Sequence, residues 1–323
     1  MQTIFITGAE GFVGTVLTQH LRQRGYRVVA GVRNRARKLA YERRFGKAIV
    51  CDVSDAINVA RAVASVKPDG VVHLAGYTHT HDTNEQPLEA YQSIVSGWAN
   101  LLDAVRRTVP RARVLLISAC DVYGRAGHQP VREDAPLAPV STFGALKVTA
   151  ESVARTFSEK YCLNLSVARP FHYTGPGQPD TFFYGSVARR LANWDLETDG
   201  DELALPDLRC RRDLLHVHDV VDAYERLLHD GQPNQTYNVC SGEARTCAEI
   251  VQVMAQSLRL PLRLVDAPSS ADDEFVDIFW GDNTKLRSEL GWQPTHTADG
   301  ALQELVRSYY RQPVPPPPVP VAV

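Results

Sequence analysis

The stretch Thr3–Leu21, TIFITGAEGFVGTVLTQHL, constrains this chain more than any other. A short apolar run, Ile4-Phe5-Ile6, meets a loop carrying Gly8, Gly11 and Gly14. Beyond it Phe12, Val13, Val16, Leu17 and Leu21 recur at helical spacing, so the pattern is strand, tight turn, helix start. Glycine lacks a Cβ, so backbone can turn sharply, approach a diphosphate and pack the new helix on the strand. The helix N-terminus then offers N–H groups and a partial positive charge to phosphates. The spacing here is G-x-x-G-x-x-G rather than G-x-G-x-x-G. The strand-to-helix setting reads as a dinucleotide-binding loop, with a plain structural turn as the alternative.

Strand-like runs then alternate with amphipathic stretches through the first half of the chain. The runs are Arg27–Val32, Ala48–Cys51, Gly70–Leu74, Val114–Ser118 and Leu165–Arg169; the helical stretches include Ile57–Val66, Ala90–Val105 and Leu146–Tyr161. Near-continuous apolar strands such as VLLIS are buried on both faces, and alternation with helices implies a parallel sheet. The expected fold is α/β, a Rossmann-type doubly wound sheet over 1–170, with ligands at the carboxyl ends of its strands. From 171 to 311 the pattern loosens into shorter elements punctuated by Gly175, Pro176, Gly177, Pro179, Pro206 and Pro268. Helices are expected at about 181–194, 217–229 and 246–258. This part reads as a smaller substrate-binding lobe, some of whose segments return to the main sheet. Residues 312–323 are proline-rich and uncharged, and are expected to stay extended or disordered.

Composition narrows the class of partner. A net charge of −2 gives no reason to expect nucleic acid or a membrane surface. The six cysteines have neither zinc-knuckle nor C-x-x-C spacing, which reads as reduced thiols in the cytoplasm. No apolar run approaches the length of a membrane span.

The cofactor type is written at the end of the second strand, about 20 residues past the glycine loop. A carboxylate there binds the ribose 2′-OH of NAD. Here the strand ends in Arg33-Asn34-Arg35, with Arg37 and Lys38 close behind and no acid before Glu42. Guanidinium groups suit a 2′-phosphate through paired, charge-assisted hydrogen bonds. NADP(H) is therefore the expected cofactor and NAD(H) the alternative; solvated helix-surface charges would look the same.

With these residues in hand, the chain resembles the extended short-chain dehydrogenase/reductase family, in its nucleotide-sugar branch, most of all the GDP-4-keto-6-deoxy-mannose reductases. The resemblance runs from Thr3 to about Tyr310. TGAEGFVG at 7–14 matches the glycine loop, including Phe12 and Val13. Cys51-Asp52-Val53 matches an adenine contact, and His73-Leu74-Ala75-Gly76 a further cofactor contact. Ser118-Ala119-Cys120-Asp121-Val122-Tyr123-Gly124 matches the segment that carries a catalytic Ser or Thr. The run Arg169-Pro170-Phe171-His172-Tyr173-Thr174-Gly175-Pro176-Gly177-Gln178 resembles R-P-F-N-H-x-G-P-G-Q, implying that Pro170 and His172 lie beside nicotinamide and substrate. Arg212-Asp213 with Val217 and Asp219 matches R-D-x-x-x-V-x-D, whose arginine meets the nucleotide diphosphate. Tyr237–Gly242, Gly281–Leu286 and Leu290-Gly291-Trp292 match three later segments. The family pairs through two helices, here near 90–107 and 145–161, so a homodimer is implied.

The family moves a hydride to or from a sugar carbon and a proton at its oxygen. A tyrosine four residues before a lysine handles the proton; the ammonium lowers the phenol pKa and holds the nicotinamide ribose. The spacing puts both on one helix face. The lysine is present as Lys147, but the tyrosine position holds Phe143 and the Ser/Thr position holds Ala119. Each change deletes one hydroxyl, and a general acid contributes on the order of 10²–10⁴-fold. Three readings follow: an inactivated form of an ordinary enzyme, a variant with another proton source, or a relative that binds sugar nucleotide or cofactor without turnover. Candidate sources are Asp121, Cys120, Tyr173, Tyr77 and Thr142, with Asp121 and Tyr173 ahead. A nucleotide-sugar epimerase or dehydratase is the alternative chemistry.

For the substrate, Arg212 is the strongest phosphate contact, with Arg189, Arg209 and Arg211 behind it. An acidic cluster, Asp272-Asp273-Glu274, stands where the reductases usually carry an arginine. Tyr77 and His79 follow the fourth strand, where the family shapes its substrate pocket. His79 and His81 lack a third ligand, so no metal is expected. His216 and His218 read as caps or surface, and Trp98, Trp194, Trp280 and Trp292 as packing residues.

Overall fold

The structure is a computed structural model that describes residues 2–78, 80–125, 127, 129–267 and 278–310. His79, the 272–274 acids and the 312–323 tail lie outside the described residues, as do the side chains of Thr80 and His81.

Seven parallel strands form the main sheet: β1 (Thr3–Thr7), β2 (Arg27–Val32), β3 (Ala48–Val50), β4 (Gly70–His73), β5 (Arg113–Ile117), β6 (Asn164–Pro170) and, after three strands that lie outside it, β10 (Thr236–Val239). Their order is β10-β6-β5-β4-β1-β2-β3, and every neighbouring pair is parallel. The order reverses between β1 and β4, which is where a doubly wound sheet opens a crevice at its carboxyl edge.

Side-chain alternation along the strands divides the core in two. Ile4 and Ile6 of β1, Val72 of β4, and Leu115 and Ile117 of β5 pack on one face, under the helices Phe12–Gln23 and Val217–Asp230. Phe5, Val71, Val114 and Leu116 pack on the other, under Ala56–Val66, Gly97–Thr108 and Thr142–Tyr161. This two-sided burial is why the strands read as unbroken apolar runs.

The smaller elements are β7 (His172–Thr174), β8 (Glu202–Leu205), β9 (Arg211–His216), β11 (Ala244–Thr246), β12 (Arg263–Asp266) and β13 (Ile278–Phe279). β9 pairs with β7, β11 and β13, while β8 pairs with β12. A third core forms where helices Phe183–Ala192, Cys247–Ser257 and Ala298–Tyr310 pack together around Leu191, Met254 and Leu305.

Two local expectations are corrected. The run expected as one helix over 90–105 is a helix Pro87–Tyr91, a π-helical turn Gln92–Ser96 and a helix Gly97–Thr108. The long helix starts at Thr142 rather than Leu146, because Ser141 caps it by accepting the Gly144 N–H at 3.0 Å. Trp98 and Trp292 are fully buried. His216 caps the helix Val217–Asp230 and is itself buried rather than on the surface. No described helix is long and apolar enough to cross a membrane.

Candidate active site

The glycine loop is built backbone against backbone. Gly8 has φ +70°, and a Cβ on it would lie 2.8 Å from the Ala75 nitrogen; one on Gly14 would lie 2.3 Å from the Gly8 oxygen. No side chain caps the helix Phe12–Gln23, and its first turn carries no acid. Its leading N–H groups are thus left for an anion, which is the cradle a dinucleotide diphosphate needs. Leu74, Ala75 and Gly76 leave β4 beside this loop; the Ala75 N–H reaches Thr7 Oγ1 at 3.3 Å. The backbone therefore fits a dinucleotide.

Just past β2, Arg33 and Arg35 are exposed. Asn34 caps the helix Arg35–Phe45. Asp52 takes the Ser54 hydroxyl at 2.7 Å and its N–H at 3.1 Å, whereas Asp55 caps the next helix. Val53 is buried beside it.

At the other end of the crevice, Lys147, Phe143 and Ala119 are all buried, with relative exposures of 8%, 7% and 8%. Lys147 Nζ donates to the Ile117 carbonyl at 2.7 Å and lies 5.6 Å from the Phe143 ring centroid and 5.4 Å from that of Trp98. Burial pulls its pKa down to about 8, against the opposing pull of Glu151 and Asp121. The tyrosine–lysine frame is present, with a phenyl ring where the phenol would be.

The turn Cys120–Tyr123 packs on the start of that helix. Burial raises the Asp121 pKa, while its own backbone, the Cys120 thiol, Lys147 and Arg212 oppose the rise. Asp121 therefore feels the charge of two cations. The charge of Arg212, on β9, also acts on Cys120, His172 and Tyr184. Burial raises the Cys120 thiol well above its ordinary value. His172 is neutral, its pKa held near 3 by burial and then by Arg212, and its buried Nδ1 has no partner among the described residues. A carboxamide or a substrate hydroxyl would satisfy it. Tyr173 stacks on Phe12 at 6.2 Å, and burial raises it to about 12. Pro170, at the end of β6, is buried next to them.

Two expected substrate residues have polar partners of their own. Arg189 is ion-paired with Asp180 and borders a separate depression of about 510 Å³ with Arg190, Asn193 and Trp194. The Tyr77 hydroxyl lies 2.7 Å from Gln86 Oε1 and 2.9 Å from Glu89 Oε2, and its ring packs against the apolar cluster that contains Ala119 and Phe143.

Sequence reading missed the scaffold behind the site. Arg169 holds Glu151 through two hydrogen bonds of 3.0 and 2.6 Å and donates to the Tyr123 hydroxyl at 2.8 Å; that hydroxyl lies 2.7 Å from Asn238 Oδ1. Asp213 accepts from Ser241 N–H and hydroxyl, Gly242 N–H and Gly281 N–H, at 2.7 to 3.3 Å. It also missed Glu10, whose Oε1 accepts the Arg33 N–H at 3.1 Å. His20, Asp222 and Glu225 bring ligand atoms within 4.8 Å of one another, but Arg24 and Arg226 already pair with the two carboxylates.

Comparison with known proteins bears on the family. A family profile described as GDP-mannose 4,6 dehydratase matches residues 5–305. The chain is 29% identical to a GDP-6-deoxy-D-mannose reductase of Pseudomonas aeruginosa, over 95% of this chain and 97% of that one. It is also 29% identical to a dTDP-glucose 4,6-dehydratase of Xanthomonas campestris pv. campestris, over 96% and 93%. A structure of RMD from Pseudomonas aeruginosa complexed with NADPH superposes with a TM-score of 0.83 at 28% identity, covering 96% of this chain and 99% of that one. Matched from its first strand into its last described helix, the chain belongs to the GDP-mannose 4,6 dehydratase family of extended short-chain dehydrogenases/reductases.

Proposed function

We propose that this chain is an NAD(P)H-dependent nucleotide-sugar oxidoreductase that reduces the 4-keto group of a nucleoside-diphosphate 4-keto-6-deoxy sugar. The observation that carries the reading is Lys147, buried over the Phe143 ring in a chain matched almost end to end by a reductase. The nicotinamide cofactor supplies hydride chemistry; Arg33 and Arg35, with the NADPH-bound relative, favour its phosphorylated form.

Each residue then has a task. The helix start at Phe12 and Val13 meets the diphosphate, Asp52 the adenine, and Lys147 the nicotinamide ribose. Arg212 holds the substrate diphosphate. His172, neutral, orients substrate or carboxamide through its unpartnered Nδ1. Phe143 and Ala119 offer no proton, so Asp121 gives one to the 4-oxygen: burial favours its protonated form, and Lys147 and Arg212 stabilise the carboxylate left behind. The six free cysteines fit a reducing cytoplasm, and the chain works as a homodimer through the helices near 90–107 and 145–161.

Consumption of NADPH with GDP-4-keto-6-deoxy-mannose tests the reading. Stoichiometric oxidation, reduced at least 100-fold in Asp121→Asn, is expected. Conversion of a nucleotide sugar without net NADPH loss would instead make the chain an epimerase. Cofactor binding with no turnover of any sugar would make it a binding protein.

A further inference from the structure

We infer that Glu10 determines the balance between NADPH and NADH, offsetting the arginines at the end of β2 so that the chain accepts both. The inference rests on the reading that the glycine loop holds a nicotinamide dinucleotide.

Glu10 lies within the loop, between Gly8 and Gly11, at the carboxyl end of β1. Its Oε1 accepts the N–H of Arg33, the first residue past β2. Its charge helps burial and Asp52 push the Cys51 thiol at the end of β3 up to about 12. One carboxylate therefore joins the ends of two adjacent strands, β1 and β2. That is the edge of a doubly wound sheet over which adenosine lies, and the end of the second strand faces the ribose 2′ position. Oε2 is buried with no partner among the described residues. A buried carboxylate oxygen left unmade is costly, so the arrangement suits a donor that arrives with the ligand.

A ribose 2′-hydroxyl is such a donor; a 2′-phosphate is not. The phosphate would bring its own negative charge to a carboxylate that already occupies the Arg33 backbone donor. The Arg33 and Arg35 guanidiniums are exposed, where solvent weakens their pull. The acid in the loop thus does the work usually given to an acid at the end of the second strand.

The test is equilibrium titration of the chain with NADPH and with NADH, read by nucleotide fluorescence and needing no turnover. Glu10→Gln keeps an oxygen for the Arg33 N–H and replaces the free carboxylate oxygen by an amide. The parent is expected to bind the two nucleotides within about tenfold of each other. Glu10→Gln is expected to tighten NADPH at least tenfold relative to NADH, and Arg33→Ala to weaken NADPH selectively. An unchanged NADPH/NADH ratio in Glu10→Gln, with the unfolding midpoint of the free protein preserved, overturns the role of Glu10 and leaves the cofactor reading standing. Glu10→Ser, which lacks the carboxylate altogether, must move the ratio the same way. A parent that binds neither nucleotide overturns both.

Discussion

Two hydroxyl groups separate this site from the family pattern, and Lys147 shows what remains of it. Its ammonium is buried, donates to one carbonyl and faces two aromatic rings. Because burial lowers its pKa to about 8 from 10.5, the native state binds the proton less well than the unfolded chain between those values. Its cost to stability is therefore full below pH 8 and is relieved as pH rises from 8 to 10.5. Lys147→Met is expected to hold or raise the urea midpoint at pH 7 while weakening NADPH binding more than tenfold in fluorescence titration. The rate with NADPH should fall above about pH 8 in a pH profile, as the Lys147 ammonium deprotonates. Asp213 behaves oppositely: burial raises it to about 6 despite four accepted hydrogen bonds. Asparagine offers one oxygen and turns an amide toward the remaining N–H donors. Asp213→Asn should lose about 2–3 kcal/mol in urea unfolding; an unchanged midpoint would show that these bonds contribute nothing net.

At the scale of elements, what the sequence makes legible depends on whether the cause is local. The strands of the main sheet carry their own signal, since burial on both faces demands unbroken apolar runs; β2 begins and ends where its residues say. The glycine loop is equally local, and its tightest contact gives a prediction. A Cβ at Gly14 would meet the Gly8 oxygen at 2.3 Å, so Gly14→Ala should lose about 1–3 kcal/mol, the range for an overpacked core, and nucleotide affinity with it. Thermal unfolding with and without NADPH measures both. The π-turn Gln92–Ser96 was not legible, because apolar residues keep a helical rhythm across it. Glu10 and the Arg169–Glu151 pair were missed for a related reason. Their partners are 23 and 18 residues away, and no short-range spacing encodes them.

Across the whole molecule, the order of the main sheet follows from alternating strands and helices, but the smaller sheet does not. β9 takes three partners, two of them parallel and one antiparallel, drawn from both earlier and later in the chain. Neither turn chemistry nor periodicity specifies such pairings. Arg212 stands in a contiguous motif that a sequence can carry, whereas Arg189 has no such motif and is paired with Asp180. The family fold predicts a dimer of twice the 35.8 kDa chain mass in light scattering. A monomer at micromolar concentration would remove that assembly without touching the chemistry.

One set of rates decides whether a reductase frame without the two hydroxyls draws its proton from Asp121. NADPH oxidation with GDP-4-keto-6-deoxy-mannose would be compared in the parent and in Ala119→Ser/Phe143→Tyr, each with and without Asp121→Asn. The account predicts that the double change gains about 100-fold or more, as a restored general acid should. It also predicts that Asp121→Asn costs the parent at least 100-fold and the restored enzyme less than tenfold. No oxidation in any of the four, with NADPH bound to each, would contradict it.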